Sequence, residues 1–343
     1  MKNGKTCVAI VTYNSGRYIR RCLEAVLRQK GAPLEIVVFD NASTDNTREI
    51  LEDFDGRVRV LTSDVNLGFA EAQNRAIRSS SSEWVLTLNP DVLLLPGFLR
   101  RLLDASLSDP RTGTVCGKLL SIGPGFEALA ERRIDSTGMY FTPAMRHFDR
   151  GWRQPDSYSF DRTEYVFGAS AAAALYRREM IEDVSVDGEF FDPDFFVYRE
   201  DADVAWRAQL MGWRCIYTPD ATAYHVRTVT PENRRSASAA INMHSVKNRF
   251  LMRIKNATPG IYRRFWFPMT LRDVVVLGGA LLWEPTSIPA LWHVARCLPR
   301  ALHRRQAIMA RRRVADDALA EWFHFEPAAA ERPIPDYIAE PTA

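Results

Sequence analysis

Thr6 to Thr12 reads TCVAIVT, an unbroken β-branched and apolar run typical of a strand buried on both faces. Ile19, Cys22, Leu23, Val26 and Leu27 then fall at helical spacing. Leu34 to Phe39 (LEIVVF) predicts a second buried strand. The helix after it carries Ile50, Leu51 and Phe54 on its apolar face and can be capped by Thr44 or Asp45. Val58 to Leu61 predicts a third strand, Ala70 to Ile77 a helix, and Trp84 to Leu88 a fourth strand. This alternation is the signature of an α/β fold, a mixed, mainly parallel sheet flanked by helices. Ligands of such sheets bind beyond the carboxyl ends of the strands. TYNS, DNAS, NLGF and NPD follow the four strands in turn, so all four polar clusters are expected on one sheet edge.

From about Val115 the pattern turns to mixed strands and loops, with a flexible stretch expected at Gly123 to Arg133. Val166 to Tyr176 (VFGASAAAALY) predicts a strand entered through Gly168. Glu200 to Met211 predicts a helix closed by Gly212, Cys215 to Tyr217 a strand, and Ser238 to Arg253 another helix. After Pro259 the chain becomes aromatic, basic and proline-punctuated, and the Ala/Pro/Glu-rich tail is expected to be disordered. These shifts divide the chain into a catalytic unit (1–257), a helical extension (258–326) and a tail (327–343).

Composition adds little until its distribution is considered. At 343 residues the chain fits one large domain or two, and 46% hydrophobic residues suffice for a sizeable core. The net charge of +3 is too small to argue for nucleic acid, and none is expected as a partner. The stretch from Arg234 to Arg313 is nevertheless strongly basic, which suggests an anionic surface. Five scattered cysteines without a CxxC pair read as buried, reduced thiols of a cytosolic protein. The N-terminus runs straight into a strand pattern, so no signal peptide is expected. With no apolar run of 18 residues, neither is a transmembrane helix.

The polar clusters carry the candidate chemistry. Asp40 closes a buried strand, where its carboxylate can accept the imide N–H of uracil or thymine; an Asx turn with a helix cap is the plainer use of the same residues. Asn66, Leu67 and Gly68 open a helix that carries Asn74, and a helix N-terminus with glycine suits phosphate, or serves simply as a turn. Asn89-Pro90-Asp91 ends an apolar strand in a carboxylate. Mg²⁺ and Mn²⁺ need only one or two protein carboxylates when a diphosphate supplies other oxygens. Glu200 and Asp201 follow the aromatic run FFDPDFFVY, and desolvation there raises a carboxylate toward general-base strength. They lie about 100° apart on a helix, so one faces the reaction and the other orients it or anchors a loop. Acidic residues in a first helical turn also suit the helix dipole with no catalytic purpose.

In order, VTYNS, FDNASTDNT, NLGFAEAQN, LNPDV, FGAS and EDADVAWR resemble the GT-A family 2 glycosyltransferases, most of all bacterial rhamnosyltransferases of cell-surface polysaccharide synthesis. The resemblance spans roughly 5–256. It implies that Thr12, Tyr13, Asn14, Asp40 and Ser43 hold nucleobase and ribose, with Asn66, Gly68, Asn74 and Asn89 near the nucleotide. It matches Asp91 to the metal-binding end of a DxD motif, here begun by Asn89, and His225 to a histidine that completes the metal shell. Asp201 matches the catalytic base, with Glu200 beside it, and Gly168, Ala169 and Trp206 fall to the acceptor side. The implied reaction is an inverting sugar transfer, assisted by a divalent metal (Mg²⁺ or Mn²⁺). The donor is a nucleotide diphosphate sugar, with dTDP-rhamnose favoured and a UDP-hexose the alternative. The acceptor is a glycan or polyprenyl-linked glycan. A non-catalytic binder of sugar nucleotides remains the competing class, whereas a dehydrogenase is disfavoured because no GxGxxG follows the first strand.

The segment from Ile261 to Arg313 joins DVVVLGGALLW to flanking arginines and aromatics. It reads either as interfacial helices, which would put the protein on the cytoplasmic face of the membrane, or as an ordinary helical domain packed on the enzyme.

Overall fold

The computed structural model describes residues 5–31, 33–227, 239–283 and 285–323. The expected tail lies outside the described residues. The first half alternates as the apolar pattern predicts: β1 (Thr6–Thr12), α1 (Ile19–Leu27), β2 (Leu34–Asn41), α2 (Thr47–Glu52), β3 (Arg59–Ser63), α3 (Gly68–Arg78), β4 (Trp84–Leu88) and β5 (Val92–Leu94). There follow α4 (Phe98–Ser106), β6 (Thr112–Ser121), β7 (Ile134–Ser136), β8 (Met139–Phe141), β9 (His147–Asp149), β10 (Glu164–Val166) and β11 (Ala173–Arg177). The chain continues through α5 (Arg178–Val184), α6 (Glu200–Leu210), β12 (Arg214–His225), α7 (Ala239–Asn256), α8 (Pro259–Leu282), α9 (Pro289–Arg311) and α10 (Asp316–Ala320).

The main sheet runs β10-β12-β6-β11-β4-β1-β2-β3. Its β4-β1-β2-β3 half is parallel throughout, so the first three polar clusters and NPD do share one edge. β11 enters antiparallel between β4 and β6 and makes the sheet mixed. Both faces of the sheet are covered. Cys7, Ala9 and Val11 of β1 point to the face shared with α3 and α6, while Val8 and Ile10 point to the face packed by α1 and α4. That two-sided burial is why β1 reads as a continuous apolar run and not as an alternating one.

The structure departs from the sequence reading at two places. VFGASAAAALY is not one strand: β10 ends at Val166, β11 starts at Ala173, and the interval is bent around the start of α6. β12 runs to His225, far beyond the expected Tyr217, because its second half pairs with β5 as well as β6. The helical extension after Pro259 packs on the core, together with α7. Leu251 and Met252 of α7, Cys297 and Ile308 of α9, and Trp322 and Phe323 join the core beneath α6, where Phe323 packs on Phe141 and Trp206. All five cysteines are buried and unpaired.

Candidate active site

The first two clusters form one network. Thr12 Oγ1 donates to Asp40 Oδ1 (3.0 Å), the Ser43 amide donates to Asp40 Oδ2 (3.3 Å), and the Asn14 amide donates to Ser43 Oγ (2.9 Å). Asn14 and Ala42 adopt positive φ, 51° and 66°, which turns each strand end sharply back toward the other. Asn14 Oδ1 accepts from the Thr44 amide (2.8 Å), and Asp45 Oδ1 accepts from the Thr47 amide (3.0 Å) at the start of α2. Asp40 itself is fully buried, and Arg48 Nε closes its second oxygen at 2.6 Å. Three of the carboxylate's acceptor positions are thus taken within the protein, by Thr12, Ser43 and Arg48. Tyr13 stands exposed at the rim.

The third cluster is more internal than expected. Asn66 Oδ1 accepts from the Gly68 amide (2.9 Å) and from Asn41 (3.0 Å). Gly68 has φ +80°, and a Cβ there would lie 2.5 Å from the Phe196 ring, so the backbone that its lack of a side chain admits is that of the loop before α6. Asn74 is buried; its Nδ2 donates to the Phe191 carbonyl (2.7 Å) and its Oδ1 accepts from the Phe191 amide (2.9 Å). Its amide is committed to holding that loop, not left to meet a nucleotide.

The fourth cluster is built by strand register. β12 places His225 opposite Val92, and the Val226 amide donates to the Asp91 carbonyl (3.0 Å). His225 Nε2 consequently lies 3.5 Å from Asp91 Oδ1, while its Nδ1 meets Asp135 Oδ2 at 2.7 Å. Asp135 also binds Arg227 (2.7 Å), which reaches Asp149 (2.7 Å). Burial alone would lower the His225 pKa, but Asp135 and Asp91 override it and hold the ring up at about 10. His225 and Arg227 in turn pull Asp135 well below the ordinary carboxylate range against its own burial.

These residues fit a divalent cation. Asp91 Oδ1 is buried with no hydrogen-bond partner, and it faces an imidazole nitrogen whose ring is oriented from behind by a carboxylate. Among the described residues no group of three or more His, Cys, Asp or Glu could hold a metal, so the protein offers a two-donor site that a diphosphate and water would complete.

Asp201 occupies the first turn of α6. Its Oδ2 accepts from the Ala171 amide (3.3 Å) and its Oδ1 from the Ala202 amide (2.7 Å). The next carbonyl, that of Ala172, receives the Asn89 amide at 2.9 Å, so one short bend ties the acidic helix to the NPD turn. Burial, then the Asp149 charge, pushes the Asp201 pKa up to about 6. Glu200 is buried too, with Oε2 unpartnered; desolvation and Asp201 raise its pKa well above the ordinary value. Gly168 lies against α6, where a Cβ would come 2.2 Å from that of Ala205, and Ala169 is buried beside it. Trp206 is corrected: it is wholly buried among Phe141 and Phe323, a core residue and not an acceptor surface.

Sequence reasoning missed Arg48, Asp135, Asp149 and Arg227. Asp135 and Asp149 sit in three-residue strands with no motif, and only the fold brings them to the end of β12.

The sequence profile described as Glycosyl transferase family 2 matches residues 7–185. The chain is 30% identical over 237 residues to the N-acetylglucosaminyl-diphospho-decaprenol L-rhamnosyltransferase of Mycobacterium tuberculosis strain H37Rv, covering 64% of this chain and 75% of that one. Among solved structures, S. aureus TarS 1-349 in complex with UDP-GlcNAc aligns with a TM-score of 0.55 at 18% identity, over 90% of this chain and 88% of that one. A mannosyltransferase from Pyrobaculum calidifontis in complex with GDP-Man and Mn²⁺ aligns with a TM-score of 0.51 at 19% identity, over 91% and 86%. At these identities the two structures speak for the fold, a GT-A arrangement.

Proposed function

The chain belongs to glycosyl transferase family 2, and from that premise we propose that it moves L-rhamnose from dTDP-rhamnose, with inversion, onto a hydroxyl of a lipid-linked glycan in cell-surface polysaccharide synthesis. The observation that carries the transfer is the position of Asp201, a buried carboxylate with raised pKa, one bend away from the NPD turn. Asp201 takes the proton of the acceptor hydroxyl as its oxygen bonds to the anomeric carbon. The bond from that carbon to the diphosphate breaks in the same step, so the nucleoside diphosphate departs and the configuration inverts. Asp91 and His225 would hold the divalent cation, with Asp135 fixing the imidazole tautomer. Such a cation neutralises charge on the departing diphosphate. Burial and the neighbouring Asp201 raise the Glu200 pKa as well, which disfavours a second negative charge beside the base.

Rhamnose and the lipid-linked acceptor rest on likeness to the mycobacterial enzyme. A UDP-hexose donor is the second reading, supported by TarS with UDP-GlcNAc. Transfer assays with dTDP-rhamnose, UDP-GlcNAc, UDP-glucose and GDP-mannose on a polyprenyl-diphosphate-linked acceptor separate the two. Turnover with dTDP-rhamnose alone supports the first; turnover with a UDP-sugar alone overturns it. Donor binding with no transfer from any of them would mark a non-catalytic protein.

We further place the protein peripherally on the cytoplasmic membrane face. α8 is longer than the sequence reading allowed: its best 18-residue window has mean hydropathy 1.4, long and apolar enough to cross a bilayer, with 11% of that window buried. Yet Asp273, in mid-helix, pairs with Arg249 and Arg253 of α7, and Met269 is buried, so α8 is anchored to the enzyme at these points. Its outer side leaves Trp266, Phe267, Val274 and Leu282 exposed, a surface suited to the lipid interface.

A further inference from the structure

The segment that delivers Asp201 is held in an unfavourable shape. Phe196, Tyr198 and Arg199 all have positive φ (65°, 70° and 69°), although none is glycine. Side chains with a Cβ rarely occupy that region, and a cluster persists only where surrounding contacts over-determine it. Arg199 is the residue immediately before α6, so this geometry sets the direction in which the helix starts and the place of Glu200 and Asp201.

Most of the contacts that fix it come from α7. Asn248 is fully buried, and its Nδ2 lies 2.9, 2.8 and 2.8 Å from the carbonyls of Phe195, Val197 and Tyr198. The turned backbone points these three carbonyls away from any regular ladder, and the two N–H bonds of one side-chain amide serve them, one of the two shared between carbonyls. Around it, Lys247 Nζ donates to the Asp194 carbonyl at 2.5 Å and Arg199 Nε donates to the Ser245 carbonyl at 3.2 Å. Two turns on, Lys255 Nζ bridges Asp192 (2.5 Å) and Asp203 (2.9 Å), and Asn256 donates to Asp203 (2.7 Å). α7 therefore grips the segment before the helix, at Asp192 to Tyr198, and the helix itself, at Asp203.

We propose that Asn248 is a positioning residue: by binding the carbonyls of Phe195, Val197 and Tyr198 it holds the left-handed turn that aims Asp201 at the acceptor. This rests on Asp201 acting as the base. It gives α7, which lies beyond the residues matched to the family profile, a part in the reaction without contact to either substrate.

The test is Asn248→Ala in the full chain, read by steady-state transfer, donor binding, and hydrogen–deuterium exchange across 192–203. With dTDP-rhamnose, kcat is expected to fall about 10- to 100-fold while donor Kd stays within about twofold, because misplacement of a reacting group costs rate and not donor contacts. Amide exchange across 196–203 should quicken while the rest of the sheet is unchanged. Unaltered exchange, or quickened exchange with wild-type kcat, overturns the proposal. If Asn248→Ala does not fold, Lys247→Met removes a neighbouring grip, with an expected kcat loss of about 3- to 10-fold and the same overturning outcomes. Substantial turnover by Asp201→Asn would refute the base instead, and exchange then decides the clamp by itself.

Discussion

His225 Nε2 faces Asp91 Oδ1 across 3.5 Å while Asp135 holds the opposite ring nitrogen at 2.7 Å. The facing distance is too long for a good hydrogen bond and suits two donors to one cation. β-register alone produces it, since His225 pairs with Val92, the residue after Asp91. With the ring held up at about 10 both nitrogens carry protons, so a cation bound at Nε2 would displace the proton there and leave the Nδ1 proton facing Asp135.

Removing either donor should therefore weaken Mn²⁺-dependent donor binding. Asp91→Ala and His225→Ala are expected to lower transfer by about 100-fold or more, and Asp135→Asn by about 10- to 100-fold, the usual cost of losing an orienting carboxylate. Calorimetric titration of donor with and without Mn²⁺ measures this. Metal-independent binding that is equal in all variants would contradict the site.

Activity should fall on the acid side of Asp201. Its pKa of about 6 means the base is ionised at pH 7 and half protonated near pH 6, so kcat should decline about tenfold per unit below that. The same shift has a stability consequence. A carboxyl whose folded pKa lies above its unfolded value holds its proton more tightly when folded, so this group's contribution to stability declines as pH rises from about 4 to 6. Relieving a penalty of roughly 2–3 kcal/mol, less about 1 kcal/mol for an impaired hydrogen bond to Ala171, Asp201→Asn should melt higher at pH 7 while losing turnover. A lower Tm at pH 7 would show that the burial is not costly.

Close packing at the acidic helix yields a third expectation. Gly168→Ala would set a methyl 2.2 Å from Ala205 Cβ, and α6 has to shift to accept it. Overpacking of this kind costs about 1–3 kcal/mol, and the displaced helix should lower kcat more than donor affinity. Thermal melts with a kcat and KM comparison check it; unchanged values in both would mean that α6 yields freely.

The gathering of the four clusters on one sheet edge was legible because each follows a predicted strand of a parallel half-sheet, and Trp84 to Leu88 is the predicted strand residue for residue. The pairing of Asp91 with His225 was visible only as a likeness, since it depends on the length of β12. Asp135, Asp149 and Arg227 carried no local signal: their meeting is set by β7 and β9, which are too short to show a period. Trp206 was set on the acceptor side by resemblance alone, whereas here α6 is buried almost all round. α8 was undercounted because Arg272-Asp273 interrupts its apolar run, and sequence cannot show that Asp273 is neutralised by α7.

Deleting everything after Asn256 is not a clean test of membrane contact, because it would strip Phe323 from Trp206 and open the core beneath the acidic helix. Point changes on the outer side of α8 avoid this. Trp266 and Phe267 are exposed, and Trp283 at the helix end is 77% exposed, so polar substitution there removes little folded-state packing. Each large apolar side chain is worth about 1.5–3 kcal/mol on full burial, and insertion at an interface is partial. Trp266→Ser, Phe267→Ser and Trp283→Ser together should then reduce partitioning onto anionic vesicles by about two to three orders of magnitude, with Tm nearly unchanged. Arg263 and Arg264, just before Trp266 in the chain, are exposed, so wild-type binding should also weaken from 0.05 to about 0.5 M salt as the Debye length shortens. Co-sedimentation with phosphatidylglycerol vesicles and with neutral vesicles measures both effects. A wild-type protein that ignores either vesicle, or a triple variant that binds as well as wild type, would assign α8's exposed side to something other than lipid.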